Sequence, residues 1–327
     1  MPPLYLSESD VKKLLDMRTA IEVVEEAFRQ WADHKVCNVP RTRAKGAGIV
    51  VHTMSAAADY LGLAGWKCYA TTRANADFHV GLYDSRTGML VALIAAEFLG
   101  RLRTGATTAV AVEWMADVAA HEVGVFGAGR QARTQLEAIR LARPIKQAFV
   151  YSRDETRRKT FAVEMSRSLG IDVVPVDRPH EAAEELPIVV TATTSSVPLF
   201  DGKCLAEGTM VAAIGSNWLN RAEIDVNVVR RADNIVCDSV EACRNEAGDF
   251  VDAIEKGVFD WSRAVELADV VAGQAVGRSS RSSVTLFKSV GLAIEDIALA
   301  GKLVDLARAQ GVGTELGVAE SEAAGGE

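Results

Sequence analysis

Residues 123–139, VGVFGAGRQARTQLEAI, contain the most specific short motif of the chain. They begin as a short apolar strand, pass through Gly127, Gly129 and Ala132 in a G-x-G-x-x-A pattern, and continue as a helix. Glycines permit the tight turn and let the backbone approach a pyrophosphate, whose charge the first N–H groups of the helix attract. The pattern alone is a weak signal, but between a strand and a helix it predicts a dinucleotide site rather than an empty turn.

The residues around this loop alternate between strands and helices. Their apolar segments are short and nearly continuous, which is typical of parallel strands covered on both faces. We therefore predict an α/β fold with a Rossmann-type, doubly wound parallel sheet domain over residues 119–285. Its predicted strands are EVGVFG, QAFVYS, DVVPV, IVVTAT, MVAAIG and NIVCD.

The residues before the loop have a different texture. An amphipathic helix is predicted over residues 19–34, and residues 36–96 then carry short β-type segments separated by Gly, Pro and the turn DSRTG. This pattern predicts a mostly antiparallel sheet. The small-residue segment RLRTGATTAVAVEWMA follows and predicts a helix suited to close packing, and a closing helix is predicted over residues 289–310.

These segments predict two domains and a tail. Residues 1–118 with 286–311 would form an α+β domain, and residues 119–285 would form the Rossmann-type domain. The Gly-, Ala- and Glu-rich residues 312–327 would be disordered. A chain of 327 residues, 49% apolar and 24% charged, suits two ordinary globular domains.

Charge, hydropathy and cysteine usage argue against several classes of protein. The formal net charge of −8 disfavours a nucleic-acid surface, and no apolar run approaches the roughly 18 residues of a membrane span. No basic segment followed by an apolar stretch opens the chain, so no secretory signal is expected. Five scattered cysteines without a CxxC and five dispersed histidines predict reduced thiols, no metal site and a cytoplasmic location.

The end of the second Rossmann strand bears on the choice of dinucleotide. An acidic residue there would bind the ribose hydroxyls and favour NAD, but the chain has Ser152 and Arg153, with Arg157 and Arg158 close behind. A guanidinium pairs well with a 2′-phosphate. The sequence therefore favours NADP(H), while Asp154 leaves NAD(H) open. The two later arginines could instead belong to a solvated helix face.

Several motifs outside the glycine loop line up along the chain. They are PRTR, HTM, GWK, LYDSRTGMLVA and RLRTGATTAVA before the GAGRQA loop, and TLFKSVGLAIEDIA near the end. In this order and spacing the chain resembles the ornithine cyclodeaminase/μ-crystallin family over roughly residues 1–311. The agreement of several separate motifs makes this resemblance specific.

The resemblance implies a homodimer whose substrate-binding and dimerisation domain combines the N-terminal half with the last helix. It also implies that NAD(P) binds the Rossmann domain and that small amino or imino acids bind between the domains. By motif position, Arg41 and Arg103 would hold the substrate carboxylate, Lys67 would be the catalytic group, and Asn75 and Thr104 would contact the cofactor. The remaining assignments are Met54 and Asn217 to the substrate, and Arg103, Gly127, Ala128, Gly129, Arg130, Gln131, Ser152, Arg153, Arg157, Thr191, Thr193, Ile214, Ser216 and Ser289 to the cofactor.

Lys67, in GWKCYATTRAN, has two interpretations. Taken alone, it could be a stray charge on a strand. Near two arginines in a desolvated pocket, however, the ammonium form is disfavoured and the pKa of the lysine should fall toward neutrality. It could then exchange a proton with a substrate nitrogen, while paired guanidinium groups hold the substrate carboxylate.

Two positions depart from the cyclodeaminases of the family. His52 stands where they carry a glutamate, and Asn217 stands where they carry an aspartate that acts on the departing amine. Deaminative ring closure needs that acid–base chemistry, whereas hydride transfer to a C=N carbon needs a held carboxylate, a proton source and a nicotinamide. Lys67 or His52, whose unperturbed pKa is near 6.5, would supply the proton. His52 could also be a strand histidine, and Arg73 either a contact for a dicarboxylic substrate or a solvated loop residue.

The leading interpretation is an NAD(P)H-dependent reductase of a small 2-imino acid. Candidate substrates are pyrroline- or piperideine-2-carboxylate and the linear iminosuccinate or iminopropionate, and the reverse reaction would be an amino-acid dehydrogenase. One alternative is a cyclodeaminase with bound NAD. Another is a non-catalytic, NADPH-dependent binding protein for small ligands.

Overall fold

A computed structural model describes residues 2–317 of the chain. Strands dominate its first third, and strands alternate with helices after it. In chain order the elements are β1 (Leu4–Leu6), α1 (Glu8–Leu14), α2 (Met17–Ala32), β2 (Val36–Lys45), β3 (Val50–Ala58), β4 (Leu63–Thr71), β5 (Ala76–Asp84), β6 (Leu90–Ala95), α3 (Glu97–Met115), β7 (Glu122–Phe126), α4 (Arg130–Ala142), β8 (Gln147–Tyr151), α5 (Glu155–Leu169), β9 (Asp172–Pro175), β10 (Ile188–Thr191), β11 (Met210–Ala213), α6 (Val226–Arg231), β12 (Asn234–Cys237), α7 (Val240–Glu246), α8 (Val251–Glu255), β13 (Ala264–Glu266), α9 (Leu267–Val271), β14 (Thr285–Lys288), α10 (Ala293–Gln310) and β15 (Thr314–Glu315).

The first sheet is mostly antiparallel, as predicted. Its strands lie in the order β15-β1-β6-β5-β4-β3-β2. Among the neighbouring strands of this sheet in residues 2–317, only β1 and β6 are parallel. Met54 lies opposite Lys67, and Tyr69 lies between His52 and Phe78. Because side chains alternate between the faces of a sheet, these residues share one face, and α10 packs on it.

The small-residue helix α3 packs where larger side chains would not fit, as predicted. A Cβ at Gly105 would lie 2.7 Å from the Thr134 carbonyl oxygen of α4, and one at Gly100 would lie 2.8 Å from Lys67 Nζ. Real Cβ atoms do not approach other atoms so closely. These two glycines therefore let α3 lie directly against both α4 and the lysine of β4.

The second sheet is parallel, which confirms the predicted doubly wound α/β fold. In the described residues its strands lie in the order β13-β12-β14-β11-β10-β7-β8-β9. The chain runs outward from β7 to β9 and returns at β10, so the direction of winding changes between β7 and β10. Ligands of such folds bind at this point, outside the carboxyl ends of the strands, and the glycine loop follows β7 there.

The junction before the last helix differs from the prediction. β14 pairs with β11 and β12 through Lys288, so we propose that the domain boundary lies after Lys288 rather than at 286. The helix begins at Ala293 instead of 289, because the preceding backbone is used otherwise. Oδ2 of Asp238 accepts hydrogen bonds from the N–H groups of Val290 and Gly291, and Gly291 has a left-handed φ of +82°.

The end of the described chain also differs from the prediction. Residues 312–327 are predicted to be disordered, but β15 pairs antiparallel with β1. That part of the prediction is wrong, because β6 pairs with only one side of β1 and β15 pairs with the backbone groups of the other side. Residues 318–327 of the predicted tail lie outside the described residues.

Candidate active site

Three adjoining cavities in the described part of the chain form the candidate site. The central cavity, about 390 Å³, is lined by both Lys67 and Gly129. The glycine-loop cavity, about 330 Å³, extends from Gly127 to Arg157 and shares Gly129 with the central one. The outer cavity, about 670 Å³, shares Lys67 and Arg103 with the central one. Since neighbouring cavities share lining residues, one cleft leads from the glycine loop to the lysine.

The glycine loop has the geometry that a pyrophosphate requires. Gly127 has a φ of +111°, and a Cβ there would lie 2.5 Å from the Ala192 carbonyl oxygen. A Cβ at Gly129 would meet no atom within 4 Å, so it would project into open space. Gly129 is the N-cap of the 13-residue α4, and no side chain caps the free N–H groups of that helix. These residues therefore fit a dinucleotide phosphate bound at the helix start.

The tip of β8 presents two arginines to the glycine-loop cavity. Ser152, Arg153, Asp154 and Arg157 line it. The Asp154 carboxylate caps α5 by accepting the Arg157 N–H at 3.0 Å and lies 3.3 Å from Nε of that arginine. Arg158, predicted to gather with them, is buried and donates to the Ser152 carbonyl oxygen at 3.0 Å. Arg153 and Arg157 are thus the guanidinium groups that face this cavity.

The Lys67 ammonium is buried at the inner end of the cleft. Lys67 is 3% exposed, and Nζ donates to Oδ1 of Asp296 at 2.7 Å. Burial lowers the pKa of Lys67 to about 8; Asp296 opposes this shift, and Arg103 and Arg41 add to it. The amine is therefore mainly protonated near pH 7 and close enough to its pKa to release the proton.

Arg103 lies beside Lys67 and shares its carboxylate. Its Nε donates to Oδ1 of Asp296 at 3.3 Å, and Nη1 donates to Oε2 of Glu295 at 2.6 Å. Both carboxylates are fully buried, and burial raises the pKa of Glu295 to about 7 against the lowering effect of Arg103. Arg103 lines the central cavity, so its guanidinium is held from behind while part of it faces the cleft.

Arg41 reaches the same cavity from β2 and connects the first sheet to helix α7. It forms a buried ion pair with Glu246 of α7, and Nη2 donates to the Val290 carbonyl oxygen at 2.9 Å. The neighbouring Arg43 donates to Glu246 at 2.6 Å and to the Asn217 carbonyl oxygen at 2.8 Å. One carboxylate of α7 thus holds two guanidinium groups of β2.

His52 does not occupy the place that its predicted role requires. Its ring stacks on Tyr69 with centroids 4.2 Å apart, and Nε2 lies 3.1 Å from Thr71 Oγ1. Burial, followed by the charges of Arg43 and Arg41, lowers the pKa of His52 to about 4, so the ring is neutral at working pH. It lines none of the three cavities. The predicted role of proton donor is therefore unsupported for His52.

The structure brings most of the other predicted residues to the cleft. Asn75 lines the outer cavity rather than the central one, while Met54, Thr191 and Ser216 are buried beside the cleft without lining it. Thr191 and Ser216 instead donate to Glu223 and to the Arg221 carbonyl oxygen. The predicted residues that line one of the three cavities are Arg41, Lys67, Asn75, Arg103, Thr104, Gly127, Ala128, Gly129, Arg130, Gln131, Ser152, Arg153, Arg157, Thr193, Ile214, Asn217 and Ser289.

Five residues of the site are not among those predicted from the sequence. Tyr69 and Phe78 form a stacked aromatic wall of the central cavity, with ring centroids 4.9 Å apart. Glu295 and Asp296 had a readable signal, because two adjacent acids stand in the otherwise apolar GLAIEDIALA and buried acids need partners. Glu246, in CRNEAG, had no such signal.

Residues 2–317 contain neither a candidate membrane span nor a candidate metal cluster. No helix there is both long and apolar enough to cross a membrane. No group of three or more His, Cys, Asp or Glu side chains in residues 2–317 could hold a metal ion.

Comparisons with known proteins cover nearly the whole chain. The family model described as "Ornithine cyclodeaminase/mu-crystallin family" matches residues 2–311. The structure of Delta(1)-pyrroline-2-carboxylate reductase from Thermococcus litoralis, in complex with NADH and L-proline, has a TM-score of 0.91 and 35% identity, covering 96% of this chain and 100% of that one. An archaeal alanine dehydrogenase dimer with bound NAD has a TM-score of 0.91 and 30% identity, covering 97% and 99%. Iminosuccinate reductase of Paracoccus denitrificans is 30% identical over 328 residues, which are 96% of this chain and 99% of that protein.

Proposed function

Because the chain belongs to the ornithine cyclodeaminase/mu-crystallin family, we propose that it is an NAD(P)H-dependent reductase of a small 2-imino acid. The product is the corresponding amino acid, and the reverse reaction is its oxidation. The observation that carries the proposal is a buried lysine ammonium, Lys67, in the cavity that Gly129 also lines. The relatives described as pyrroline-2-carboxylate and iminosuccinate reductases support the same chemistry.

The residues of the cleft divide the reaction between them. When bound, the reduced nicotinamide supplies a hydride to the imine carbon. The Lys67 ammonium gives a proton to the imine nitrogen, so that the C=N bond becomes a CH–NH bond. Arg103 and Arg41 hold the carboxylate of the substrate, because guanidinium groups bind a carboxylate in a defined orientation. In the reverse direction the neutral lysine takes the proton back from the amine.

The lining of the central cavity favours a monocarboxylic substrate with an apolar ring. Tyr69 and Phe78 offer flat apolar surface to ring methylenes beside Lys67. A second substrate carboxylate would need a further cation, and the remaining arginine of this lining, Arg130, is 71% exposed in its side chain and pairs with Glu97. Pyrroline- or piperideine-2-carboxylate is therefore our proposed substrate, ahead of iminosuccinate.

The polar lining near Lys67 also bears on deaminative cyclisation. Asn217 lines the central cavity, and an amide cannot act as the acid or base that a departing amine needs. His52 lies behind Tyr69 and is neutral, so it does not replace the missing acid–base group. These residues favour reduction over cyclodeamination.

We also propose that the enzyme prefers NADPH to NADH. Ser152 leaves the tip of β8 without a carboxylate, and Arg153 and Arg157 face the same cavity. A guanidinium pair at this place suits a 2′-phosphate. Two solved relatives are described with NADH or NAD. Dissociation constants of this chain for NADPH and NADH would therefore test the proposed preference.

We also propose that the protein forms a homodimer. The face of the first sheet opposite Lys67 carries apolar side chains that are only half-buried, among them Trp66, Tyr83 and Leu93. Trp66 lies across Gly81, where a Cβ would come 2.5 Å from its ring. A second copy of the chain would cover this face, and one relative is described as a dimer. Light scattering of the purified protein would test it, since a monomeric mass contradicts the proposal.

A steady-state screen of cyclic and linear 2-imino acids with NADH and NADPH tests the proposed activity. We expect oxidation of the dinucleotide with pyrroline- or piperideine-2-carboxylate. Lys67→Met should lower kcat by about 10²–10⁴, the usual contribution of a positioned proton donor, whereas Lys302→Met, an exposed lysine on α10, should change nothing. No turnover across the panel would refute the reductase. Ligand and NADPH binding that survives Lys67→Ala, with no turnover by the wild type, would instead identify a binding protein.

A further inference from the structure

The charged ends of Lys67 and Arg103 meet on a single carboxylate oxygen. Oδ1 of Asp296 accepts from Lys67 Nζ at 2.7 Å and from Arg103 Nε at 3.3 Å. Asp296 is fully buried and lines none of the three cavities, whereas both cations line the central one. The carboxylate therefore lies behind the two groups that would touch the substrate.

We propose that Asp296 is a positioning residue of the reaction, which holds the proton donor Lys67 and the carboxylate-binding Arg103 at a fixed separation. This inference rests on the proposed imine reduction, in which the two cations act on neighbouring atoms of one substrate. The imine nitrogen and the carboxylate group of a 2-imino acid are both attached to the same carbon atom, C2. Two groups that share one acceptor oxygen can serve these two substrate groups without independent movement.

The start of α10 gives Asp296 a fixed place. The Ile294 N–H donates to Asn38 Oδ1 of β2 at 3.1 Å, and the Gly291 N–H donates to Oδ2 of Asp238 at 2.7 Å. The helix start is thus tied to the first sheet and to the end of β12. The backbone that carries Asp296 is therefore held from two sides.

The two oxygens of Asp296 have different surroundings. Oδ2 is buried and has no hydrogen-bond partner within residues 2–317, whereas Oδ1 accepts from both cations. An unsatisfied buried acceptor lowers stability, but an apolar residue at this position would leave the buried Lys67 ammonium without its carboxylate. The contacts of Oδ1 with Lys67 and Arg103 therefore account for the carboxylate at this place.

The charges around Lys67 show what the carboxylate does to the amine. Arg103 from α3 and Arg41 from β2 both disfavour the ammonium form, and burial does so more strongly. Asp296 from α10 opposes them by its charge and its hydrogen bond, while the adjacent Glu295 pairs with Arg103. Without Asp296 the pKa of Lys67 would fall below 8, and the proton donor would be neutral at neutral pH.

The pH dependence of kcat/KM in Asp296→Asn tests this role. Wild-type activity should fall as the pH rises through the pKa of Lys67. In Asp296→Asn the same fall should occur about 1–3 pH units lower, the range expected for loss of one adjacent opposite charge. Dissociation constants for NADH and NADPH should stay within about twofold, because Asp296 is remote from the glycine-loop cavity. Asp305→Asn, an exposed aspartate of the same helix, is the matched control and should leave the profile in place.

The outcomes separate the inference from the proposed function. An upper limb at an unchanged pH in Asp296→Asn, with only a uniform loss of rate, would reduce Asp296 to a structural residue. If the wild type reduces no imine, the proposed function itself fails. Should Asp296→Asn not fold, Asp296→Glu keeps the test, because it retains the charge and moves the oxygen. It should keep the limb near its place and lower kcat, and an unchanged kcat would overturn the inference.

Discussion

Alanine substitutions at the two glycines of the dinucleotide loop should separate folding from cofactor binding. Gly129 has an ordinary φ of −93°, and its Cβ would meet nothing within 4 Å. Replacing glycine by alanine at an N-cap changes the free energy of unfolding by only about 0.5–1 kcal/mol. At Gly127, by contrast, the φ of +111° costs about 1–3 kcal/mol in strain. The methyl group, 2.5 Å from the Ala192 carbonyl oxygen, costs about 1–3 kcal/mol more in overpacking.

Two measurements on each variant decide this prediction. Urea unfolding without ligand gives the stability, and quenching of protein fluorescence by NADPH gives the dissociation constant. Gly129→Ala should unfold like the wild type and bind at least about tenfold more weakly, which is about 1.4 kcal/mol, because its methyl group fills the space that a phosphate needs. Gly127→Ala should instead have a lower free energy of unfolding than the wild type. Unchanged binding by Gly129→Ala would refute the placement of the pyrophosphate at the start of α4.

Three further predictions concern charged groups of the cleft. Ser152→Asp combined with Arg153→Ala should raise the NADPH/NADH ratio of dissociation constants at least about tenfold, since one hydrogen bond to a charged group contributes about 1.5–3 kcal/mol; an unchanged ratio contradicts the assignment of the β8 tip. Glu295 has a pKa raised to about 7, so the wild type should lose up to about 3 kcal/mol of stability relative to Glu295→Gln as the pH rises from about 4.5 to 7; parallel urea-unfolding curves at pH 5 and 8 would contradict it. Glu246→Gln leaves the buried Arg41 without its partner and should lower the free energy of unfolding by about 3–5 kcal/mol, and a loss below about 1 kcal/mol would show that the pair contributes little.

Local patterns were enough to predict the fold. The glycine loop lies between a strand and a helix, and the short apolar strands after it form the parallel sheet. The antiparallel meander follows from alternating segments and a turn. The start of the last helix was misplaced because Asp238 binds the backbone of Val290 and Gly291, a contact between distant parts of the chain.

Residues of the candidate site could be predicted only where the residue type itself indicates a chemical role. Lys67, Arg41 and Arg103 could be named from the motifs. Their counter-charges could not, because the contact between Lys67 and Asp296 joins residues 229 positions apart. The surroundings of His52 could not be predicted for a similar reason: the stacking that buries its ring and keeps it neutral exists only in the folded sheet.

The double attachment of Arg41 limits how a protein of this kind can change its substrate during evolution. Arg41 lines the central cavity and, through its ion pair with Glu246, joins β2 of the antiparallel sheet to helix α7. A mutation that altered Arg41 to suit a new ligand would also loosen that junction and would need a second, compensating mutation. Tyr69 and Phe78 line the cavity without forming an ion pair across the cleft, so a substitution there would not loosen that junction. Divergence in specificity should therefore begin at the aromatic wall and leave the arginine in place.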